Sequence, residues 1–259
     1  MLNYIKSEIY RNLRSKGNYI FLFGCMIFVI FLNVVLSMFV KSDPNFPYAS
    51  TKYSFSALYT SMVIPLILCL LIGSIVLGEE FKNHTLKNSI SYGISRNQIY
   101  FGKYVILLIV SAINLIFISA SFIISGFLLL ENSGPLYFNE LIRALIACTP
   151  LFLVSITLVQ CLYFVFQSDT RVVVLWVIIM IVIPKVFSML GARVELFRKI
   201  ATWTPYNIVG NITQGEGAHN LVMYWCSQQG MINCFITGII GTTLFYIIGM
   251  QLFKKVEIK

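Results

Sequence analysis

Long apolar runs alternate with short polar segments along the whole chain. A helix needs about 20 apolar residues to cross the roughly 30 Å hydrocarbon core of a bilayer. Runs of that length predict six membrane-spanning helices, at about residues 18–40, 56–78, 103–130, 141–166, 171–190 and 231–253. Pro65 lies in the middle of the second run and predicts a kink there, whereas Pro184 and Lys185 shorten the apolar core of the fifth. The pattern therefore predicts an all-α membrane protein with a transmembrane domain over residues 18–259.

Residues 1–17, before the first run, have the pattern of an amphipathic helix. Apolar side chains recur there at helical spacing, and the basic side chains fall on other faces. The apolar positions are Leu2, Ile5, Ile9 and Leu13. This pattern predicts an interfacial helix along the cytoplasmic membrane surface; the alternative is an ordinary basic anchor beside the membrane. The first apolar run exceeds the roughly 7–15 residues of a secretory signal, so we expect it to stay as an anchor.

Composition and charge support a multi-pass protein of the cell membrane. Charged residues make up only 11% of the 259 residues, against about 25% in soluble proteins, and the mean hydropathy is +0.83. The net charge of +9 does not indicate nucleic-acid binding, because lysines and arginines flank the apolar runs. With both termini in the cytoplasm, inner segments hold 12 of the 19 basic residues and outer segments hold 7. This bias predicts cytoplasmic termini.

The polar segment between the second and third spans, residues 79–101, has a helical pattern of its own. An apolar stripe recurs every four residues and predicts a short amphipathic helix from Glu79 to Ser91. The stripe consists of Leu86, Ile90 and Ile94. Glu79 and Glu80 would lie in the first turn of this helix, where the helix dipole favours negative charge. Tyr92 and Gly93 are expected to end it.

A second helix is predicted directly after this break. Ser95 followed by Gln98 matches a capping box, so the next helix should start near Arg96 and continue into the third span. The whole segment is too polar to enter the bilayer and too ordered to be a slack linker. It has the character of a docking surface for a cytoplasmic partner, and the alternative is an interfacial helix that binds no partner.

The sequence GEEFKNHTLKNSISYGISRNQIYFGKYV resembles the region after the second span in type-2 ABC transporter permeases. The family pattern runs from a Glu through Gly-Thr to Ser-Arg and a Lys before the third span. The matching residues are Glu79 or Glu80, Thr85, Lys87, Ser95, Arg96 and Lys103. His84 stands where the family often has Gly. The resemblance extends over the chain as a layout: an amphipathic start, six spans, a long last outer loop at 191–230 and a basic tail.

This resemblance implies a function and a set of partners. In this family the segment after the second span is a coupling helix that rests in a cleft of an ATP-binding subunit. Two permease halves, identical or related, pair with two such subunits. The residues implied in coupling are Glu79, Glu80, Leu86, Ile90, Ile94 and Arg96. The layout is most similar to permeases of lantibiotic immunity and bacitracin resistance, which implies export of an antimicrobial peptide. The few charges within the spans separately indicate a hydrophobic or amphipathic substrate.

Catalytic motifs do not emerge from the sequence. Gly102-Lys103 is the only Gly-Lys pair, and it lacks the glycine and Ser/Thr that a phosphate-binding loop requires. We therefore expect no cofactor in this chain, with ATP and Mg bound by the partner. The acids and histidine of EEFKNH raise the alternative of an intramembrane protease. The two histidines, His84 and His219, fall on opposite sides of the predicted membrane, which argues against a metal site.

Four polar residues interrupt the predicted spans: Asn33, Asn114, Gln160 and Asn233. They could form hydrogen bonds between helices or line a substrate path between two permease halves. The sequence leaves both interpretations open. It also leaves an alternative function, a membrane immunity or sensor protein that transports nothing and binds a peptide through its outer loop.

Overall fold

The computed structural model describes residues 2–42, 48–82, 86–91, 93–210, 212–214 and 221–256. The helices are α1 (Leu2–Arg14), α2 (Lys16–Ser42), α3 (Thr51–Thr60), α4 (Val63–Lys82), α5 (Leu86–Ser91), α6 (Arg96–Leu129), α7 (Pro135–Phe166), α8 (Asp169–Val177), α9 (Ile183–Gly191), α10 (Glu195–Thr202), α11 (Pro205–Gly210) and α12 (Gln228–Lys255). Strands β1 (Ile212–Gln214) and β2 (Leu221–Met223) form an antiparallel pair with Thr213 opposite Val222.

Among the described residues, six helical segments are long and apolar enough to cross a membrane, which confirms the predicted number of spans. They are α2, α4, α6, α7, the segment from α8 to α9, and α12. Helix α7 is the centre of the bundle, because 78% of its apolar window is buried, against 6% for the window in α2. It packs on α3, α4 and α12. A Cβ on Gly238 of α12 would overlap Pro150 of α7, so this close helix contact depends on glycine.

The second span differs from its prediction. The chain breaks at Ser61 and Met62, so residues 51–60 form the separate helix α3 and the span begins at Val63. Pro65 therefore lies in the first turn of α4, where its missing N–H removes no helical hydrogen bond. The predicted mid-span kink at Pro65 is wrong, since the structure has a helix break four residues earlier instead.

The fifth span lies within two residues of its predicted bounds, 171–190, but it is not one regular α-helix. A π-helical turn, Ile178–Val182, joins α8 to α9, and the span runs through Pro184 and Lys185 to Gly191. The Ile183 N–H donates to the Ile178 carbonyl, five residues back. A proline ring collides with the carbonyl four residues before it in an α-helix. The wider π turn before Pro184 is where the helix absorbs this conflict.

The segment after the second span also differs from its prediction. Helix α4 continues to Lys82, so Glu79 and Glu80 lie in its last turn and not in the first turn of a new helix. The short helix α5 covers only Leu86–Ser91. The helix dipole places partial negative charge at this end of α4, which disfavours acidic side chains unless cations lie nearby.

The predicted capping box is present at the start of α6. The Ser95 side chain accepts a hydrogen bond from the Gln98 N–H, and the Gln98 side chain accepts one from the Ser95 N–H. The helix then runs unbroken from Arg96 to Leu129. The long loop before the sixth span contains the short helix α10. His84, Thr85, Tyr92, His219 and the side chain of Ile90 lie outside the described residues.

Candidate functional site

Four charged side chains meet where α1 packs against the end of α4 and the start of α6. We name this group the charge cluster: Glu8, Arg11, Glu80 and Lys103. The Lys103 Nζ lies 2.6 Å from the Glu8 Oε2 and also pairs with Glu80. The Arg11 Nη2 lies 2.8 Å from Glu8 and 3.2 Å from Glu80. Two cations thus face two carboxylates, and each cation touches both acids.

The charge cluster is shielded from solvent on most sides. Lys103, Glu80 and Glu8 are buried, and Lys103 has no exposed surface. Removing a charge from water is costly unless it is paired, so these ions depend on one another. Gly102 allows the close approach of α1, because a Cβ there would lie 2.8 Å from the Tyr4 ring. The cluster therefore ties the N-terminal helix to the second and third spans.

Electrostatic effects keep the α1 members of this region in fixed protonation states. Burial lowers the pKa of Arg11, but the Glu80 and Glu8 carboxylates outweigh that effect and raise it above its usual value. Burial raises the pKa of Tyr4, and the negative charges of Glu8 and Glu80 raise it further. Arg11 is thus charged and Tyr4 neutral at physiological pH. The cations also offset the dipole at the end of α4.

The residues implied in coupling do not share one surface. Glu80 is ion-paired in the charge cluster and Leu86 is 2% exposed, so both side chains make their contacts within this chain. Ile94 is partly buried against the core. Glu79 is exposed beside the cluster. Their contact with an ATP-binding subunit stays a prediction. Any such contact must be made by side chains of this segment that are exposed in the structure.

Arg96 joins the start of the third span to the end of the sixth. Its Nη1 donates hydrogen bonds to the carbonyls of Phe253 at 2.8 Å, Lys254 at 2.9 Å and Val256 at 2.8 Å. The last carbonyls of a helix have no partners within it, and a cation there is also favoured by the dipole. Arg96 is therefore a cap for α12 within this chain.

Asn33 is a hydrogen-bonding hub between helices. Its Nδ2 donates to the Phe122 carbonyl at 3.1 Å and to the Ser125 Oγ at 2.8 Å. Its Oδ1 accepts a hydrogen bond from the Ser54 Oγ at 2.7 Å. The side chain is fully buried and joins α2, α3 and α6. These contacts are hydrogen bonds between helices, the first of the two roles considered for the polar residues in the spans.

Asn114 lies in a different environment. Its Nδ2 donates to the Val110 carbonyl of the same helix at 2.9 Å, and its Oδ1 has no hydrogen-bond partner among the described residues. Ser111, one turn away, also has a buried Oγ with no partner in the described part of the chain. Both line a cavity of about 170 Å³ between α4, α6 and α7 whose other walls are mainly apolar.

The two remaining polar residues lie apart from this cavity. Gln160 of α7 is fully buried, and its Nε2 donates to the Tyr100 carbonyl at 2.8 Å. Asn233 lies near the start of α12, where it bonds to the Tyr224 hydroxyl and accepts from Gln229. Within this one chain the four polar residues therefore lie apart, and of the four Asn114 alone lines the cavity of about 170 Å³. A path between two permease halves stays a prediction.

Sequence reasoning missed the roles of Glu8, Arg11 and Lys103 in the charge cluster. The available signal was Lys103 itself, a cation at the edge of a long apolar run. Ionisable residues within spans almost always have a partner. Glu8 is the only acid in the first 17 residues and was the natural candidate. Its position on the helix, one turn from Tyr4, places it on the packed face.

Comparison with known proteins agrees with this architecture. The sequence model of a family described as ABC-2 family transporter protein matches residues 4–186, a range that contains all four members of the charge cluster. The chain therefore belongs to the ABC-2 family of transporter membrane proteins. It is a multi-pass membrane subunit, and this membership implies partnership with an ATP-binding subunit. No curated protein matches the chain.

Proposed function

We propose that this chain is one permease half of an ATP-driven exporter. Two permease halves, the same chain or a homologue, would work with two ATP-binding subunits on the cytoplasmic side, where both termini lie. The exporter would move a hydrophobic or amphipathic substrate, such as an antimicrobial peptide, out of the membrane or cell. ATP and Mg would bind only to the partner subunits.

The charge cluster is the observation that carries this proposal. Glu80 lies two residues before the end of α4, directly before the segment expected to meet the partner. Through Lys103 and Arg11 it is bound to α6 and α1. A force on the segment after α4 would therefore move the second span, the third span and α1 together. Coupling over a distance requires such a connected physical network.

The short helix α5 supports the same mechanism. Leu86 is buried against this chain, whereas the neighbouring Lys87 is exposed. A partner that pushes on the exposed face would act on a helix already anchored by an apolar side chain. Lys82 and Lys87 then present charged groups to the partner, and electrostatic complementarity would orient its approach.

The cavity beside Asn114 supports a hydrophobic or amphipathic substrate. Its volume of about 170 Å³ suits an aliphatic side chain or part of an acyl chain more than a whole peptide. The Asn114 Oδ1 and Ser111 Oγ offer polar partners within an apolar wall. Ligand sites commonly combine such apolar walls with a few polar groups.

Reconstitution with the ATP-binding subunit tests the proposal. The tagged chain should capture that subunit from membranes, and the complex in proteoliposomes should hydrolyse ATP faster when an amphipathic peptide such as nisin or bacitracin is added. The chain alone should hydrolyse none. A complex that never forms, together with peptide binding by the chain alone, would favour the immunity or sensor function instead.

A further inference from the structure

A second cavity, of about 550 Å³, lies between α1 and α4 beside the charge cluster. Its wall combines apolar and charged groups along α4, with Ile75 and Val76 at one level and Glu79 and Glu80 one turn further on. Ser15, between α1 and the first span, also lines it. The first span begins at Lys16 and the second ends at Lys82. The cavity therefore lies where two spans reach the same membrane boundary.

Two charges of opposite sign face this cavity without an ion-pair partner. Arg14 and Glu79 both line it, both are exposed, and neither is in an ion pair among the described residues. By contrast, Arg11 and Glu80, which also line it, are paired within the charge cluster. The cavity thus offers one available cation and one available anion on different walls.

The Arg14 guanidinium is available to bind an anion in this cavity. Its guanidinium lies 4.2 Å from the centre of the Tyr10 ring, and Tyr10 also lines the cavity. Contact with an aromatic face restrains a guanidinium and leaves its N–H groups available as donors. Guanidinium groups bind phosphate through paired N–H donors. Glu79, on α4, can accept hydrogen bonds from an ammonium group.

We propose that this cavity binds the headgroup of a zwitterionic phospholipid, phosphatidylethanolamine. Arg14 binds the phosphate, Glu79 binds the ammonium group, and Ile75 and Val76 contact the start of the acyl chains. A membrane-spanning chain is surrounded by lipid at this level, so the ligand is present at high local concentration. The site does not depend on the transported substrate, so its failure would leave the proposed export function untouched.

Lipid titration with matched variants tests this site. The complex of the chain with its ATP-binding subunit, stripped of lipid in mild detergent, is titrated with phosphatidylethanolamine or phosphatidylglycerol, and bound lipid is counted by native mass spectrometry. Phosphatidylethanolamine should bind more tightly than phosphatidylglycerol, which lacks the ammonium. Arg14→Gln should weaken both lipids about tenfold, a typical effect of losing one charge-assisted hydrogen bond. Glu79→Gln should weaken phosphatidylethanolamine alone.

The controls are Lys6→Gln, an exposed cation of α1 that does not line the cavity, and Glu195→Gln, an exposed acid of α10. Both should bind the two lipids as the unaltered chain does. Equal binding of the two lipids, or a Glu79→Gln variant that binds phosphatidylethanolamine normally, overturns the site. Binding to the chain alone that disappears in the complex would assign the cavity to the partner and would also overturn it.

Discussion

Lys103 and Glu8 are 95 residues apart in the chain, yet the Lys103 Nζ lies 2.6 Å from the Glu8 Oε2 inside the protein. One residue begins the apolar part of the third span, and the other lies on the N-terminal helix. Because the same Lys103 also pairs with Glu80, one buried cation holds three helices. The position of α1 therefore depends on buried ion pairs as well as on its apolar side chains.

Replacing Lys103 with Met should strongly destabilise the protein. The substitution removes the buried cation that pairs with both Glu8 and Glu80, and breaking a buried ion pair typically costs about 3–5 kcal/mol. We expect a lower melting temperature in detergent and a lower membrane level. Adding Glu80→Gln to Lys103→Met should restore part of the loss, because it lowers the excess of negative charge that the first substitution leaves in the cluster.

Lys87→Met is the matched control for this prediction. Lys87 is exposed on α5, so its replacement should leave the melting temperature unchanged. If Lys103→Met melts like Lys87→Met, the charge cluster does not hold the three helices together.

Removing Arg96 should loosen the end of the sixth span. Arg96→Ala deletes the donor shared by three carbonyls at the end of α12. Hydrogen–deuterium exchange should then become about tenfold faster for the amides of residues 252–256, since hydrogen bonds from charged groups are among the stronger ones. Arg171→Ala, which removes an exposed arginine of α8, should leave that exchange unchanged. Equal exchange in both variants would show that Arg96 does not cap the helix.

The six spans and the start of α6 were predictable because their signals are local. Membrane thickness fixes the length of each apolar run, and Ser95 and Gln98 are only three residues apart. The end of α4 was not predictable in this way. Glu79 and Glu80 suit a helix start because the helix dipole favours acids there. At the helix end where they lie, the Arg11 and Lys103 side chains pair with Glu80. These cations are close in space and distant in sequence.

Tertiary packing accounts for the other differences between the predicted and the observed helices. The π-helical turn before Pro184 reflects how the helix absorbs a proline, and no single residue marks it. The helix break at Ser61 places Pro65 in a first turn, whereas an uninterrupted apolar run suggests one helix. The sequence identifies Asn33, Asn114 and Gln160 as unusual polar residues within spans. Only the structure shows that the Asn33 Oδ1 accepts a hydrogen bond, whereas the Asn114 Oδ1 has no partner among the described residues.

The Cys226 thiol should react slowly with maleimides. Burial, with a hydrogen bond to Glu140 and the charge of that carboxylate, raises its pKa to about 12. Only the thiolate reacts, so a rise of about three units lowers the rate near neutral pH about a thousandfold. In a chain whose other five cysteines are replaced, the rate should keep rising with pH beyond 10.

Glu140→Gln should speed this labelling at pH 8, because it removes the carboxylate that raises the Cys226 pKa. An unchanged rate in that variant, or a rate that levels off near pH 9, would contradict the predicted shift.

Membrane orientation can be checked with two new cysteines in a background without the native six. Asn132→Cys lies in an exposed segment between α6 and α7, and Lys87→Cys lies on the exposed face of α5. With both termini in the cytoplasm, an impermeant thiol reagent should label position 132 in whole cells and position 87 only after permeabilisation. The reverse pattern would invert the proposed topology.

Substitutions at two adjacent residues of α5 should distinguish a folding defect from a coupling defect. Leu86 is buried within this chain, so Leu86→Asp places a charge in an apolar contact and should lower the membrane level of the protein itself. Lys87 is exposed, so Lys87→Glu should leave that level normal. If α5 meets the ATP-binding subunit through its exposed face, reversing this charge should lower substrate-stimulated ATP hydrolysis in proteoliposomes severalfold.

Lys52→Glu, a reversal of an exposed lysine on α3, is the matched control for Lys87→Glu, because on the proposed topology it lies on the opposite side of the membrane. The Lys52→Glu variant should show the same substrate-stimulated ATP hydrolysis as the unaltered chain. Each variant is compared at equal amounts of assembled complex, so a folding defect cannot imitate a coupling defect. If Lys87→Glu assembles and stimulates like Lys52→Glu, the exposed face of α5 does not transmit the force of ATP hydrolysis, and α5 would then be an interfacial helix seated by Leu86.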